Sequence, residues 1–177
     1  TPKQLFELGT IAALAAAAGA TGRTPVDSIE SGPFPLTPIQ RWFFETPVDN
    51  RNHWNQSFAF TAPADLDVTA LRTALRELER LHDALRLRFA TSADGWLQRY
   101  AEAGEPALMT ADLSTAEAED CTAALAAIGD ELQLGLDLLH GPIWRCAHVR
   151  LPPGQPSRVI LAIHHLAVDA VSWRILL

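Results

Sequence analysis

Lysine and arginine are scarce in this chain: 14 against 21 acidic residues, for a formal net charge of −7. No basic stripe breaks that balance, which argues against nucleic acid and against an anionic membrane surface as partners. Cysteine is scarcer still. Cys121 and Cys146 are the only two, with neither a Cys-x-x-Cys spacing nor histidines at zinc-ligand spacing. Two buried, reduced thiols in a cytoplasmic chain are the expectation. No run of about 18 apolar residues occurs, and no basic segment precedes an apolar stretch, so neither a membrane span nor a secretory signal is read. No internal repeat stands out. Apolar residues, by contrast, are plentiful. They make up 48 % of the 177 residues, enough for a true core in one modest domain and short of two complete ones. The chain begins at Thr1 rather than methionine and stops at Leu177 inside an apolar run, so both ends read as cut.

Residues 1–18 carry Leu5, Phe6, Ile11 and Leu14 on one helical face, interrupted at Gly9-Thr10. A helix pair that small cannot bury enough surface by itself. Residues 19–34 then gather glycine and proline with little periodicity, and read as a linker and domain boundary. Thr37-Pro38 is a cap followed by a first-turn proline, opening a helix with Ile39, Trp42 and Phe43 on one side. Ser57 to Phe60 alternates as a strand. Asp67 opens a longer helix with Leu71, Leu75, Leu78 and Leu81 at helical spacing.

Ala84 to Phe89 reads as a strand that turns Arg86 and Arg88 to one side. Asp94-Gly95 signals a hairpin into Trp96 to Tyr100. A further helix starts at Ser114 or Thr115 and runs to about Leu132. Two strands follow a turn at Leu138 to Pro142, spanning Ile143 to Arg150 and Arg158 to Ile163. Helices and strands mix without a strict βαβ rhythm, which implies an α/β chain built as an α+β two-layer sandwich.

The chemistry gathers where the last strand ends. Ile160-Leu161-Ala162-Ile163 runs directly into His164-His165, and Asp169 follows four residues later. A strand end can present a base to a cleft from a rigid support. Neighbouring strand residues point to opposite faces, so His164 and His165 should differ in role, one packed inward and one facing substrate. Adjacent histidines on a strand do not reach one ion easily, and the spacing is not His-Glu-x-x-His, so no metal is expected. A general base fits better, because imidazole titrates near working pH. With no nucleophile in view, the reacting hydrogen or nucleophile belongs to the substrate. Both histidines as strand-end packing is the plain alternative. Asp169 either holds a histidine tautomer or pairs with Arg86 or Arg145, whose guanidinium groups would be costly unpaired in a core. The buried pair is the more economical reading.

His164-His165-Leu166-Ala167-Val168-Asp169 resembles the HHxxxD signature of the condensation-domain superfamily of nonribosomal peptide synthetases. Three more stretches resemble that superfamily in the right order: Leu36 to Phe44, His82 to Phe89, and Gly141-Pro142-Ile143-Trp144-Arg145. The resemblance covers about residues 35–177 and implies a chloramphenicol-acetyltransferase-like lobe, the first of two. Pro38 to Phe43, His53-Trp54-Asn55-Gln56-Ser57 and Ser172-Trp173 look like the epimerization branch. Ala170 departs from the pattern, standing where a glycine usually follows the aspartate. If that turn needed a positive φ, alanine would strain it by about 1 kcal/mol or more. Residues 1–15 look like the last helices of a peptidyl carrier domain. Its arm-bearing serine would lie upstream of Thr1, and neither Ser28 nor Ser31 replaces it.

The resemblance implies epimerization of the α-carbon of an aminoacyl or peptidyl thioester. That substrate is held on the 4′-phosphopantetheine of a carrier domain, and no metal is involved. His165 takes the catalytic position and moves the α-proton, while His164, Asp169, Arg86, Arg145, Ser172 and Trp173 support it. A thioester's α-hydrogen is acidic enough for a placed base, provided the developing oxygen charge is also stabilised. Inversion needs a second acid/base group, which similar proteins are proposed to supply from their C-terminal lobe. Without that lobe an exposed apolar face and an inactive fragment are expected. Peptide-bond condensation is the runner-up, and a catalytically idle, carrier-docking domain the third reading. For the last, the discriminator is whether His165 faces an open channel or is buried with both nitrogens satisfied.

Overall fold

The structure, a computed structural model, describes residues 32–93 and 95–176. The helix pair expected over residues 1–18, most of the linker, and Asp94 of the hairpin turn lie outside the described residues. Phe34–Pro35, at the end of the stretch read as linker, already form a short strand, β1. In order there follow α1 (Pro38–Glu45), β2 (Asn55–Ala62), α2 (Val68–Leu81), β3 (Leu87–Ser92), β4 (Gly95–Tyr100) and β5 (Leu108–Asp112). Then come α3 (Ala118–Leu134), β6 (Trp144–Arg150), β7 (Ser157–His164) and a closing turn of helix, α4 (Trp173–Leu176).

Two sheets result. The larger has the order β2-β7-β6-β5, antiparallel except for the parallel β5–β6 pair, and the smaller is β1-β4-β3. One core lies where α1 and α2 meet both sheets, around Phe43, Phe44, Leu75, Phe89, Trp144 and Ile163. A second, under α3, joins Cys121 and Leu132 to Ala147, Val149, Ile160 and Ala162. Each strand of the β6–β7 pair alternates between the two cores, and Val159 to Ile163 of β7 accordingly run unbroken in apolar residues. This is the two-layer α/β arrangement expected, with β7 an inner strand of the larger sheet.

The α1 cap forms as its sequence implies. Thr37 Oγ1 accepts from the Gln40 amide at 3.4 Å, and Gln40 Oε1 accepts from the Thr37 amide at 2.8 Å. Buried Gln40 also donates to Gln98 Oε1 at 2.8 Å, and Gln98 donates to the Pro35 carbonyl at 2.9 Å, tying α1 to β4 and β1. Asp67 caps α2 by accepting from the Thr69 and Ala70 amides.

Some local expectations are corrected. Asp83–Arg86 is a 3-10 turn and the strand starts only at Leu87, so Arg86 and Arg88 do not share a strand face. Leu81, on the expected apolar stripe of α2, is exposed. The third long helix starts at Ala118 rather than Ser114, because Asp112 Oδ1 holds the Ser114 amide in a preceding turn. Strand β5 had no sequence signal of its own. Gly141 has φ +83°, and a Cβ there would overlap the Arg88 guanidinium, so this turn requires glycine.

Candidate active site

β7 hydrogen-bonds to β2 along its whole length, with Asn55 opposite His164, and the pairing continues one step as the His165 amide donates to the Trp54 carbonyl at 2.8 Å. The two histidines are thereby held by backbone as well as by their own rings. They part as strand alternation requires. His164 is fully buried, edge-on to the Phe43 ring at 5.7 Å between centroids. Its Nε2 lies 2.7 Å from the Arg51 carbonyl, and its Nδ1 is 3.1 Å from the Leu166 amide. A carbonyl only accepts and an amide only donates, so the ring is neutral with its proton on Nε2. Desolvation by burial pushes its pKa down to about 4, against the Arg51 hydrogen bond, with the neighbouring His165 adding a smaller downward push.

His165 lies just past the strand end and is exposed. Its Nδ1 is 2.7 Å from the Val168 carbonyl and must be the protonated nitrogen. Nε2 is therefore left with its lone pair. It meets the side-chain amide of Gln56, Nε2 to Nε2, at 3.3 Å. The ring borders a groove of about 450 Å³ walled by Ile39, Trp42 and Phe43 of α1, by Trp54, and by Leu166 to Val168. The α1 face expected to be apolar thus lines this groove. Ile39 and Trp42 remain 65 % and 55 % exposed.

The buried Asp169–arginine pair is not formed. Asp169 is exposed and caps the start of α4: its Oδ1 accepts from the Val171 amide at 3.0 Å, the Ser172 amide at 2.7 Å and the Ser172 hydroxyl at 2.7 Å. The amide and hydroxyl bonds from Ser172 hold its carboxyl below the usual carboxylate range. Asp169 does not hold a histidine tautomer either, since the Val168 carbonyl does that. Arg86 instead bonds the carbonyls of Glu79 at 3.2 Å and Ala101 at 2.9 Å and pairs with Asp83. Arg145 donates to the Glu131 carbonyl at 2.9 Å and lies over Gly135. Both arginines brace the fold away from the groove. The turn around Ala170 needs no positive φ, so alanine is unstrained there.

Ser172 and Asp169 do border the groove, and Trp173 is buried beside it. Trp173 Nε1 donates to Gln56 Oε1 at 2.7 Å, and its ring meets Phe58 edge-on at 4.6 Å between centroids. Gln56 is the contact that motif reading passed over, although it sits inside the His53–Ser57 stretch. Among the described residues no group of three or more His, Cys, Asp or Glu is placed to hold a metal ion, and no helix is long and apolar enough to cross a membrane. Burial pushes the Cys146 thiol up to about 12, which leaves it inert as a nucleophile.

An exposed imidazole whose Nε2 keeps its lone pair and is met by the 3.3 Å contact to Gln56, on a rigid strand end beside an apolar groove, can take a proton from a bound molecule. The same architecture occurs in known proteins. The structure of the epimerization domain from the third module of tyrocidine synthetase B superposes with a TM-score of 0.74 at 32 % identity, over 84 % of this chain and 34 % of that one. The starter condensation domain of rhizomide synthetase shares the fold, with a TM-score of 0.69 at 24 % identity over 82 % of this chain and 36 % of that one. A linear gramicidin synthase of Brevibacillus parabrevis is 45 % identical over all of this chain, which spans 4 % of that protein. Residues 30–177 match the family described as "Condensation domain". With its paired histidines at the end of β7 and this two-sheet lobe around them, the chain belongs to the condensation-domain family.

Proposed function

We propose that this chain is the first lobe of an epimerization domain, acting at the α-carbon of an aminoacyl or peptidyl thioester presented by a carrier domain. The observation that carries the reading is the state of His165. Its Nδ1–H is spent on the Val168 carbonyl, so Nε2 is the basic atom at the groove. The groove's mostly apolar walls suit a slender arm and an acyl group, and Asp169, the carboxylate on its rim, is engaged in capping α4. The arm belongs to the carrier and supplies the thioester that makes the α-hydrogen acidic. His165 Nε2 accepts that hydrogen, and Nδ1 keeps its own proton on Val168 throughout. Return of a proton to the opposite face needs a second group, which we assign to the lobe beyond this chain.

The choice of epimerization over condensation is supported by Pro38 to Phe43, His53 to Ser57 and Ser172-Trp173, and by the likeness to the tyrocidine epimerization domain. Residues 1–18 are assigned to the tail of the carrier domain and residues 19–34 to its linker.

The test uses the whole domain with its carrier, loaded with an L-aminoacyl or peptidyl thioester in deuterated water. We expect α-hydrogen exchange with inversion, lost in His165→Ala. Amide formation with an acceptor thioester, and no exchange, would make the domain a condensing one. Silence in both assays would leave a carrier-docking role.

A further inference from the structure

We propose that Gln56 is a positioning residue that holds His165 in its base form, and that Trp173 sets which way Gln56 faces; the inference rests on His165 being the base. The argument is one of donors and acceptors. An indole nitrogen can only donate, so the Gln56 atom 2.7 Å from Trp173 Nε1 is the carbonyl oxygen. The other end of the same amide, an NH₂, must then face His165 Nε2 across 3.3 Å. That nitrogen has its lone pair free only because Nδ1 donates to Val168. The three residues form one directed chain, from indole to amide to imidazole.

Each link is built into a different element. Trp173 is buried and opens α4, which the Asp169 cap holds in place. Gln56 is paired to Ile163 in the β2–β7 ladder, two residues before His165. The Val168 carbonyl comes from the turn between β7 and α4. The HHxxxD stretch and the Ser172-Trp173 pair therefore act on one ring through a residue distant in sequence.

The orientation has a consequence for proton transfer. When Nε2 takes a proton it becomes a donor facing an NH₂ group that is also a donor. Gln56 cannot simply turn over, because its NH₂ would then oppose the Trp173 N–H. The relay supports the ring while it is a base and offers the proton no resting place at Gln56, so the proton is best passed on. Substrate approach has to displace or bend the 3.3 Å contact, which is the longest and weakest of the three.

The test is made on the whole domain with its carrier, labelled with ¹⁵N-histidine and measured at pH 8, where an ordinary imidazole is neutral. His165→Ala assigns the signal. In the wild type we expect one population with the proton on Nδ1. Gln56→Leu removes the donor without adding charge. It should leave the proton on Nδ1, where the Val168 carbonyl still holds it, move the Nε2 resonance to that of an imine nitrogen with no hydrogen bond, and lower kcat for α-hydrogen exchange by roughly ten- to a hundred-fold through loss of orientation, with KM little changed. Gln56→Glu puts an acceptor at Nε2 as well, so it should favour the doubly protonated ring and lower kcat further. Trp173→Phe keeps a buried ring, frees the amide to turn, and should reproduce the change at Nε2 without any change in β2. An Nε2 resonance unchanged from wild type in folded Gln56→Leu overturns the proposal. An unchanged kcat in that variant does so too. Absence of exchange in the wild type would sink the epimerase reading alone, since the ¹⁵N signal still reports on the relay.

Discussion

Acid should weaken this fold through His164 by an amount that can be worked out. An ordinary imidazole titrates at 6.5, and burial lowers that of His164 to about 4. As pH falls through 6.5 the unfolded chain takes up this proton while the native ring stays neutral, so the unfolded state binds more protons across that window. Stability from this group is therefore fully present above 6.5 and is lost progressively down to about pH 4. At about 1.4 kcal/mol per unit, the complete loss is about 3 kcal/mol, of which about 2 kcal/mol falls between pH 7 and pH 5.

His164→Gln removes the titration. It can keep a donor for the Arg51 carbonyl but leaves the Leu166 amide unpartnered, at a cost of about 1 to 3 kcal/mol near neutrality. Urea unfolding of both proteins from pH 7 to pH 5 should thus give converging curves, the variant less stable at first and flatter. Every other titrating group is common to both and cancels in the difference. Parallel curves would refute the reasoning, since they would mean that His164 is not held neutral by burial.

Gly141→Ala should destabilise by about 1 to 2 kcal/mol or more from backbone strain alone, with displacement of the Arg88 side chain added, measurable as a lowered urea midpoint. Asp169→Ala should fray α4 and loosen Trp173, seen as a red-shifted and more quenchable Trp fluorescence component absent in Trp173→Phe. Asp169→Asn, which keeps a capping oxygen, should largely restore it. Unchanged Trp fluorescence in Asp169→Ala would refute the capping role.

Much of this molecule was determined by sequence alone. The caps at Thr37 and Asp67 are local chemistry, needing only neighbouring residues, and both form as read. The apolar run into His164-His165 specified a buried strand, and strand alternation divided the two histidines into one buried and one exposed. Long-range pairing is what the chain order could not supply. β5 exists because β6 offers it a parallel edge, and Leu108 to Asp112 has no pattern that demands a strand. Asp169 looked like an ion-pair partner because Arg86 and Arg145 seemed destined for the core, yet both find backbone carbonyls nearby and leave Asp169 to its own turn. Gln56 and Trp173 are separated by more than a hundred residues, and only the β2–β7 ladder brings their polar atoms within a hydrogen bond of each other. The identity of a base can be written in a short motif, because the backbone joins its parts. Its tautomer depends on which donors and acceptors the fold brings to its two nitrogens, and that is decided by tertiary structure.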